Sequence, residues 1–190
     1  MNKSILAVIY IAFSVITVYS QPKLTNSIIG FNLSINSKYH ELNPEISADG
    51  KFLFFTRDEF EKDKAVQDCY MAEASPDGTW GEPKKLEEPF NYLWKNSITH
   101  VSLDGSFVVV KGVYKNKQFE LKERGYSIIE RSATGWEEPR SIKITNYNNY
   151  DKGLYNGMTM TPDHRTIIFT LSTKKDEANN DLYISFMRQD

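Results

Sequence analysis

A turn followed by a short apolar run occurs three times along the chain, and this limits what it can fold into more than any other feature. Ser47-Ala48-Asp49-Gly50 leads through Lys51 into Phe52-Leu53-Phe54-Phe55-Thr56. Ser102-Leu103-Asp104-Gly105 leads in the same way into Phe107-Val108-Val109-Val110-Lys111, and Thr161-Pro162-Asp163-His164 into Thr166-Ile167-Ile168-Phe169-Thr170. Asp-Gly supplies the positive φ that a tight hairpin turn needs. The runs are too short for helices and rich in β-branched and aromatic residues, so they read as strands buried on both faces.

Two further elements keep step with the first. Asp68-Cys69-Tyr70-Met71, Tyr126-Ser127-Ile128-Ile129 and Asp181-Leu182-Tyr183-Ile184 place a tyrosine 21, 22 and 20 residues after the turn aspartate. Ten residues beyond the first two tyrosines stand Trp80-Gly81-Glu82-Pro83 and Trp136-Glu137-Glu138-Pro139. A strand before the turn, one after it, a tyrosine strand and a tryptophan-led strand make a four-stranded antiparallel meander. Its period, 55 and then 59 residues between the turn aspartates, suits a propeller blade better than a helical solenoid. The expectation is an all-β chain, a β-propeller of four-stranded antiparallel blades with about three present. An outer strand over 28–36 is followed by blades over 37–91 and 92–149 and an incomplete blade over 150–190. Propellers typically hold four to eight blades, so the chain reads as a partial ring, the preferred expectation, or as half of a six-bladed ring formed by a homodimer.

Residues 1–20 read as an address. Met1-Asn2-Lys3 is a short basic start, Ile5 to Val18 is an almost unbroken apolar run, and Val18-Tyr19-Ser20 suits a signal peptidase. The run falls short of the about 20 apolar residues of a spanning helix. A signal peptide over 1–20 implies a periplasmic or secreted protein with no membrane span after cleavage. Cys69 is the one cysteine, so no intrachain disulfide forms, and its strand position reads as a small buried hydrophobe. A formal net charge of −2 argues against a nucleic-acid partner, which calls for a basic face.

Ser-x-Asp-Gly-Lys-x-Leu-x-Phe at Ser47 to Phe55, followed by Asp68-Cys69-Tyr70 and by Gly78-Thr79-Trp80-Gly81-Glu82-Pro83, resembles the periplasmic TolB-type, WD-repeat-like β-propellers. The pattern is especially similar to propeller repeats found beside OmpA-like domains. The resemblance covers residues 24–190 and implies a propeller fold in the bacterial cell envelope. It departs from the pattern at His164, which replaces a glycine, and at Arg124, which stands where Asp68 stands in the first repeat.

No catalytic constellation emerges. His40, His100 and His164 fall at three different places in the repeat, so no histidine cluster or metal site is expected. No Gly-x-Ser-x-Gly elbow or phosphate loop occurs, and no cofactor is implied. Glu45 and His100 occupy matching positions four residues before Asp49 and Asp104, where they could approach across a channel. The acidic groups around Asp58 and Asp176 are interleaved with lysines and read as solvated loops. A binding face is the stronger expectation. Long loops over 57–67, 113–124 and 172–180 would share a face with the inter-blade connections. The candidate binding residues there are Arg57, Tyr92, Trp94, Tyr147, Asn148, Asn149, Tyr150 and Tyr155, because aromatic faces stack on sugars or peptides while amides hydrogen-bond. The competing expectation is that these rings pack one blade against the next. The function expected is a non-enzymatic, exported binding module for an envelope protein or glycan. The alternative is the propeller portion of an envelope polysaccharide lyase or peptidase.

Overall fold

The computed structural model describes residues 30–31, 34–61, 64–92, 95–115, 118–119 and 124–187. The leader over 1–20 and Trp94 lie outside the described residues, as does much of the expected outer strand over 28–36. The described part is built of antiparallel sheets. The first contains β1 (His40–Ile46), β2 (Phe52–Glu61), β3 (Lys64–Glu73) and β4 (Lys84–Lys85) in that order. The second begins with β5 (Ile98–Val101) and β6 (Phe107–Lys111). A small hairpin, β7 (Tyr114–Lys115) and β8 (Gln118–Phe119), then intervenes before β9 (Tyr126–Ser132), β10 (Gly135–Trp136) and β11 (Arg140–Ser141) complete the second sheet. After a single-turn helix α1 (Tyr147–Tyr150), the third sheet runs β12 (Gly157–Met160), β13 (Thr166–Leu171) and β14 (Asp181–Phe186).

The three turns that define the repeat share one hydrogen-bond scheme. Asp49 Oδ1 accepts from Ser47 Oγ (2.7 Å) and the Lys51 N–H (3.0 Å), while Ser47 Oγ accepts from the Phe52 N–H (3.0 Å). Asp104 repeats this with Ser102 and Ser106, and Asp163 with Thr161 and Arg165. Hydrogen bonding to Ser47 and Lys51 draws the Asp49 carboxyl down to about 2, and bonds from Ser106 and Ser102 do the same for Asp104. Gly50 and Gly105 take φ of 70° and 68°. His164 takes 57° in the third turn, a conformation that costs an L-residue roughly 1–2 kcal/mol.

Alternation along the strands sends neighbouring residues to opposite faces. Leu53 and Phe55 join Ile35, Tyr70 and Ala72 on one side of the first sheet. Phe54 and Cys69 lie on the other, against Ile98, Val108, Val110 and Ile129 of the second sheet. Val109 and Tyr126 leave the far side of the second sheet to meet Phe169 and Leu171 of the third. Each fully buried Val, Ile or Phe in these layers contributes roughly 1.5–3 kcal/mol over an exposed one. The first strands β1, β5 and β12 lie side by side, with β5 adjoining both of the others.

Several local expectations change. The segment over 57–67, expected as a long loop, is drawn into the β2–β3 hairpin, whose pairing runs from Phe52–Glu73 to Glu61–Lys64. Its alternating Phe55, Arg57 and Glu59 against Val66, Asp68 and Tyr70 sustain pairing well past the apolar run. The tryptophan-led fourth strand is broken up: Lys84–Lys85 pairs with β3, and Trp80 makes a single bridge to Ala74 just beyond its end. Asn91 substitutes for a longer one, accepting the Cys69 N–H (2.7 Å) and donating to the Cys69 carbonyl (3.0 Å). Residues 34–35 form a turn, and Ile35 is buried against the first sheet. Among the described residues no helix is long and apolar enough to cross a membrane.

The third sheet presents an uncovered apolar face. Ile168 occupies the repeat position of Phe54 and Val109, and Leu182 that of Cys69. Cys69 is 0% exposed, whereas Leu182 is 74%, Ile184 57% and Phe186 66% exposed. Thus the side of the repeat that meets a neighbouring sheet in the first two cases meets solvent in the third.

Ser102→Ala strips the half-buried Phe107 N–H of its acceptor and should lower unfolding free energy by roughly 1 kcal/mol. Ser102→Thr, the residue class that the third turn uses, should retain most of it. Urea denaturation of the two variants checks this; equal stability of Ser102→Ala and the parent would refute the turn's role.

Candidate functional site

Where the first strands converge they frame a cleft of about 650 Å³. β1 contributes Asn43 and Glu45, β5 contributes Thr99 with Ser97 just before it, and β12 contributes Gly157 and Met158. Gln67, Lys95, Lys111, Arg124 and the segment Leu154-Tyr155-Asn156 complete the wall. A bulge in β1 between Leu42 and Glu45 lets Asn43, at φ 49°, reach across and donate from Nδ2 to Ser97 Oγ (3.0 Å). Gly157 lies so close to β13 that a Cβ there would sit 2.9 Å from Thr170 Oγ1, so a larger residue would push β12 away from its neighbour.

The cleft's charge is set by substitutions within the repeat. Seven residues past the turn aspartate, the first and third repeats carry Thr56 and Thr170, but the second carries Lys111. Thr56, Lys111 and Thr170 pair across their sheets with Cys69, Tyr126 and Leu182, so Arg124 stands where Gln67 and Asn180 stand, and Gly125 rather than Arg124 takes the place of Asp68. Asp68 is buried, paired with Lys85 Nζ and contacted by Asn96 Nδ2 (3.3 Å). Arg124 instead reaches the next connection. Its Nη1 donates to Asp151 Oδ1 (3.1 Å) and to the Gly153 carbonyl (2.6 Å). Asp151 is buried and also accepts from Asn156 Nδ2 (2.7 Å). Desolvation within the cleft, opposed by Asp151 and reinforced by Arg124 and Lys95, holds the Lys111 ammonium below its usual range. Burial raises the Glu45 carboxyl.

The sequence-selected residues are distributed rather than gathered. Tyr155 is exposed at the main cleft, while Asn148 and Asn149 border a second, shallower hollow of about 400 Å³ beside Lys143 and Arg124. Tyr147 is buried, its ring 5.9 Å from Tyr126 and 5.7 Å from Phe169, and burial pushes its phenol well above the ordinary value. Tyr150 lies edge-on to Tyr183 at 5.1 Å, and Tyr92 edge-on to Tyr114 at 6.2 Å. Arg57 sits inside the first sheet, donating from Nε to Glu41 Oε1 (3.0 Å) and from Nη2 to the Ile35 carbonyl (3.1 Å), with its guanidinium 4.5 Å from the Tyr70 ring. Lys111 and Arg124 were not among the candidates, although their departure from the repeat was the signal that marks them.

Two groups behave differently from their place in the repeat. His100 and His164, expected apart, meet with ring centroids 6.1 Å apart. His164 also lies 4.5 Å from Phe107, and both Nε2 atoms are buried with no partner among the described residues. Repeat register compares positions within one sheet, whereas this pair forms between the β12–β13 turn and the second sheet. Glu45 lines the cleft beside Thr99, while His100 turns toward Phe107 and His164. Burial raises the Cys69 thiol to about 12, which keeps it protonated and unreactive at neutral pH. Among the described residues, no group of three or more His, Cys, Asp and Glu side chains is placed to hold a metal ion. Cations, amides and hydroxyls around a concave surface equip the cleft to hold a polar ligand.

Comparison with protein-family models and with curated proteins returned no match.

Desolvation, followed by the charge of His164, lowers the His100 pKa in the folded state. The unfolded chain therefore takes up this proton first as pH falls, near the ordinary value of about 6.5. The His100 contribution to stability is complete above that pH and declines below it. The urea midpoint should fall between pH 7.5 and 5.5, and His100→Leu should show a shallower fall. Parallel slopes for parent and variant would exclude the effect.

Proposed function

We propose that this chain is a binding module of the β-propeller type, similar to the TolB-like repeats, exported to the bacterial cell envelope to hold a protein or glycan partner. The observation that carries the reading is the convergence of β1, β5 and β12 on one cleft. Sheets made from one repeat stack face to face, so residues at equivalent positions are brought together around a common wall. Propellers place ligands along such a wall, and the connections that border it vary without disturbing the sheets. The leader-like start at Met1 to Ser20 supports export.

The uncovered face of the third sheet belongs to the same reading. In the sheet-to-sheet interfaces among the described residues, the face bearing Phe54 or Val109 is covered by the next sheet. Continuation of that packing calls for another sheet of this kind over Ile168, Leu182 and Ile184, and a second copy of the chain is the occupant we assign. Light scattering should find the purified chain as a dimer and Ile184→Glu as a folded monomer. A monomeric parent chain would overturn this assignment.

Tyr155 is an exposed ring at the cleft and is not part of a buried cluster, so its removal tests binding rather than folding. The purified chain should bind at least one immobilised envelope glycan or envelope protein, and Tyr155→Ala should weaken that binding about ten-fold, the scale of an aromatic anchor. Undiminished binding by a folded Tyr155→Ala would place the binding surface elsewhere.

A further inference from the structure

We propose that the cleft binds an acidic glycan, seating a sugar carboxylate between the Lys111 ammonium and the Arg124 guanidinium. This rests on the binding-module reading and specifies its ligand. Lys111, Arg124 and Lys95 all line the cleft, and the carboxylates set against them are Glu45, on the β1 wall, and the buried Asp151. Every hydrogen bond that Arg124 makes to a described residue uses Nη1. Asp151 thus holds the guanidinium by one nitrogen, and no described residue takes Nη2 or Nε, the edge on which guanidinium binds a planar carboxylate best. Lys111 forms no ion pair with a described residue. Lys111 and Arg124 are both exposed to the cleft, and like charges lining one cleft are relieved by an anionic ligand.

The rest of the wall distinguishes a saccharide from a peptide. Asn43, Gln67, Ser97, Thr99 and Asn156 supply amides and hydroxyls, which match a ring rich in hydroxyl groups. Asn156 Oδ1 is buried without a partner among the described residues, an acceptor suited to a sugar hydroxyl or an ordered water. Tyr155 offers a ring face at the rim. An extended acidic peptide would instead use a free strand edge and apolar pockets for alternate side chains. Leu154, Met158 and the Tyr155 ring are the apolar side chains of the wall.

Titration calorimetry on the full chain with three probes tests this: a linear trisaccharide of hexuronic acid, the corresponding neutral hexose trisaccharide, and triglutamate. The uronate should bind at least about ten-fold more tightly than the neutral sugar and than triglutamate. Its affinity should fall at 0.5 M salt, because screening shortens the reach of the cations. Lys111→Gln should reduce uronate affinity about ten-fold with the thermal midpoint little changed, since Lys111 is exposed and forms no ion pair with a described residue. Arg124→Lys keeps a cation beside Asp151 but loses the planar fork, and should also weaken the uronate. Equal affinity for uronate and neutral sugar, or a folded Lys111→Gln that binds uronate as the parent does, would overturn the acidic-glycan inference while leaving the binding-module reading in place. Tighter binding of triglutamate would replace the glycan with an acidic peptide. Failure of all three probes would overturn the inference, and the binding-module reading would then fall only if the parent chain also bound no immobilised envelope glycan or envelope protein.

Discussion

Each sheet in this chain carries apolar side chains on both faces, and burying both at once calls for cover on either side. That constraint organises the rest. Phe54 and Phe55 are neighbours in sequence, yet one packs toward the second sheet and the other beneath Ile35. Val109 and Val110 divide in the same way between the third sheet and the first. A lone meander of this composition would expose half of its apolar residues. Stacking converts a repeated sequence into a repeated interface, and the uncovered side of the third sheet follows from the same rule.

Regular stacking also explains how a site arises without dedicated machinery. The Ser/Thr–Asp turns hold the β1–β2, β5–β6 and β12–β13 pairs in a common geometry through side-chain bonds of 2.5 to 3.1 Å. Equivalent positions in successive sheets therefore face a common space. Two departures in the second repeat, lysine at 111 where the others carry threonine and arginine at 124 where they carry Gln67 and Asn180, then suffice to give that space its charge. Asp151 stabilises the second of these by accepting from Arg124 while remaining buried. The turn that carries His164 shows the reverse relation. It accepts a left-handed backbone at a non-glycine residue, and its ring fills the gap against Phe107.

Spacing along the chain was enough to establish an all-β protein, the hairpin turns, the strands around Phe54, Val109 and Ile168, and the burial of Cys69. These depend on alternation and turn chemistry, which act over a few residues and are written locally. The fate of individual aromatic and charged side chains was not legible in this way. Tyr147 and Tyr155 stand in one connection, but the first is enclosed by Tyr126 and Phe169 and the second is open to the cleft. Arg57 marked the expected start of a loop and instead joins Glu41 and Tyr70 inside a longer hairpin. The meeting of His100 with His164, and of Arg124 with Asp151, depends on which sheet lies against which. Such contacts join residues tens of positions apart, and a periodic pattern specifies the strands without specifying the side chains that fill the space between them.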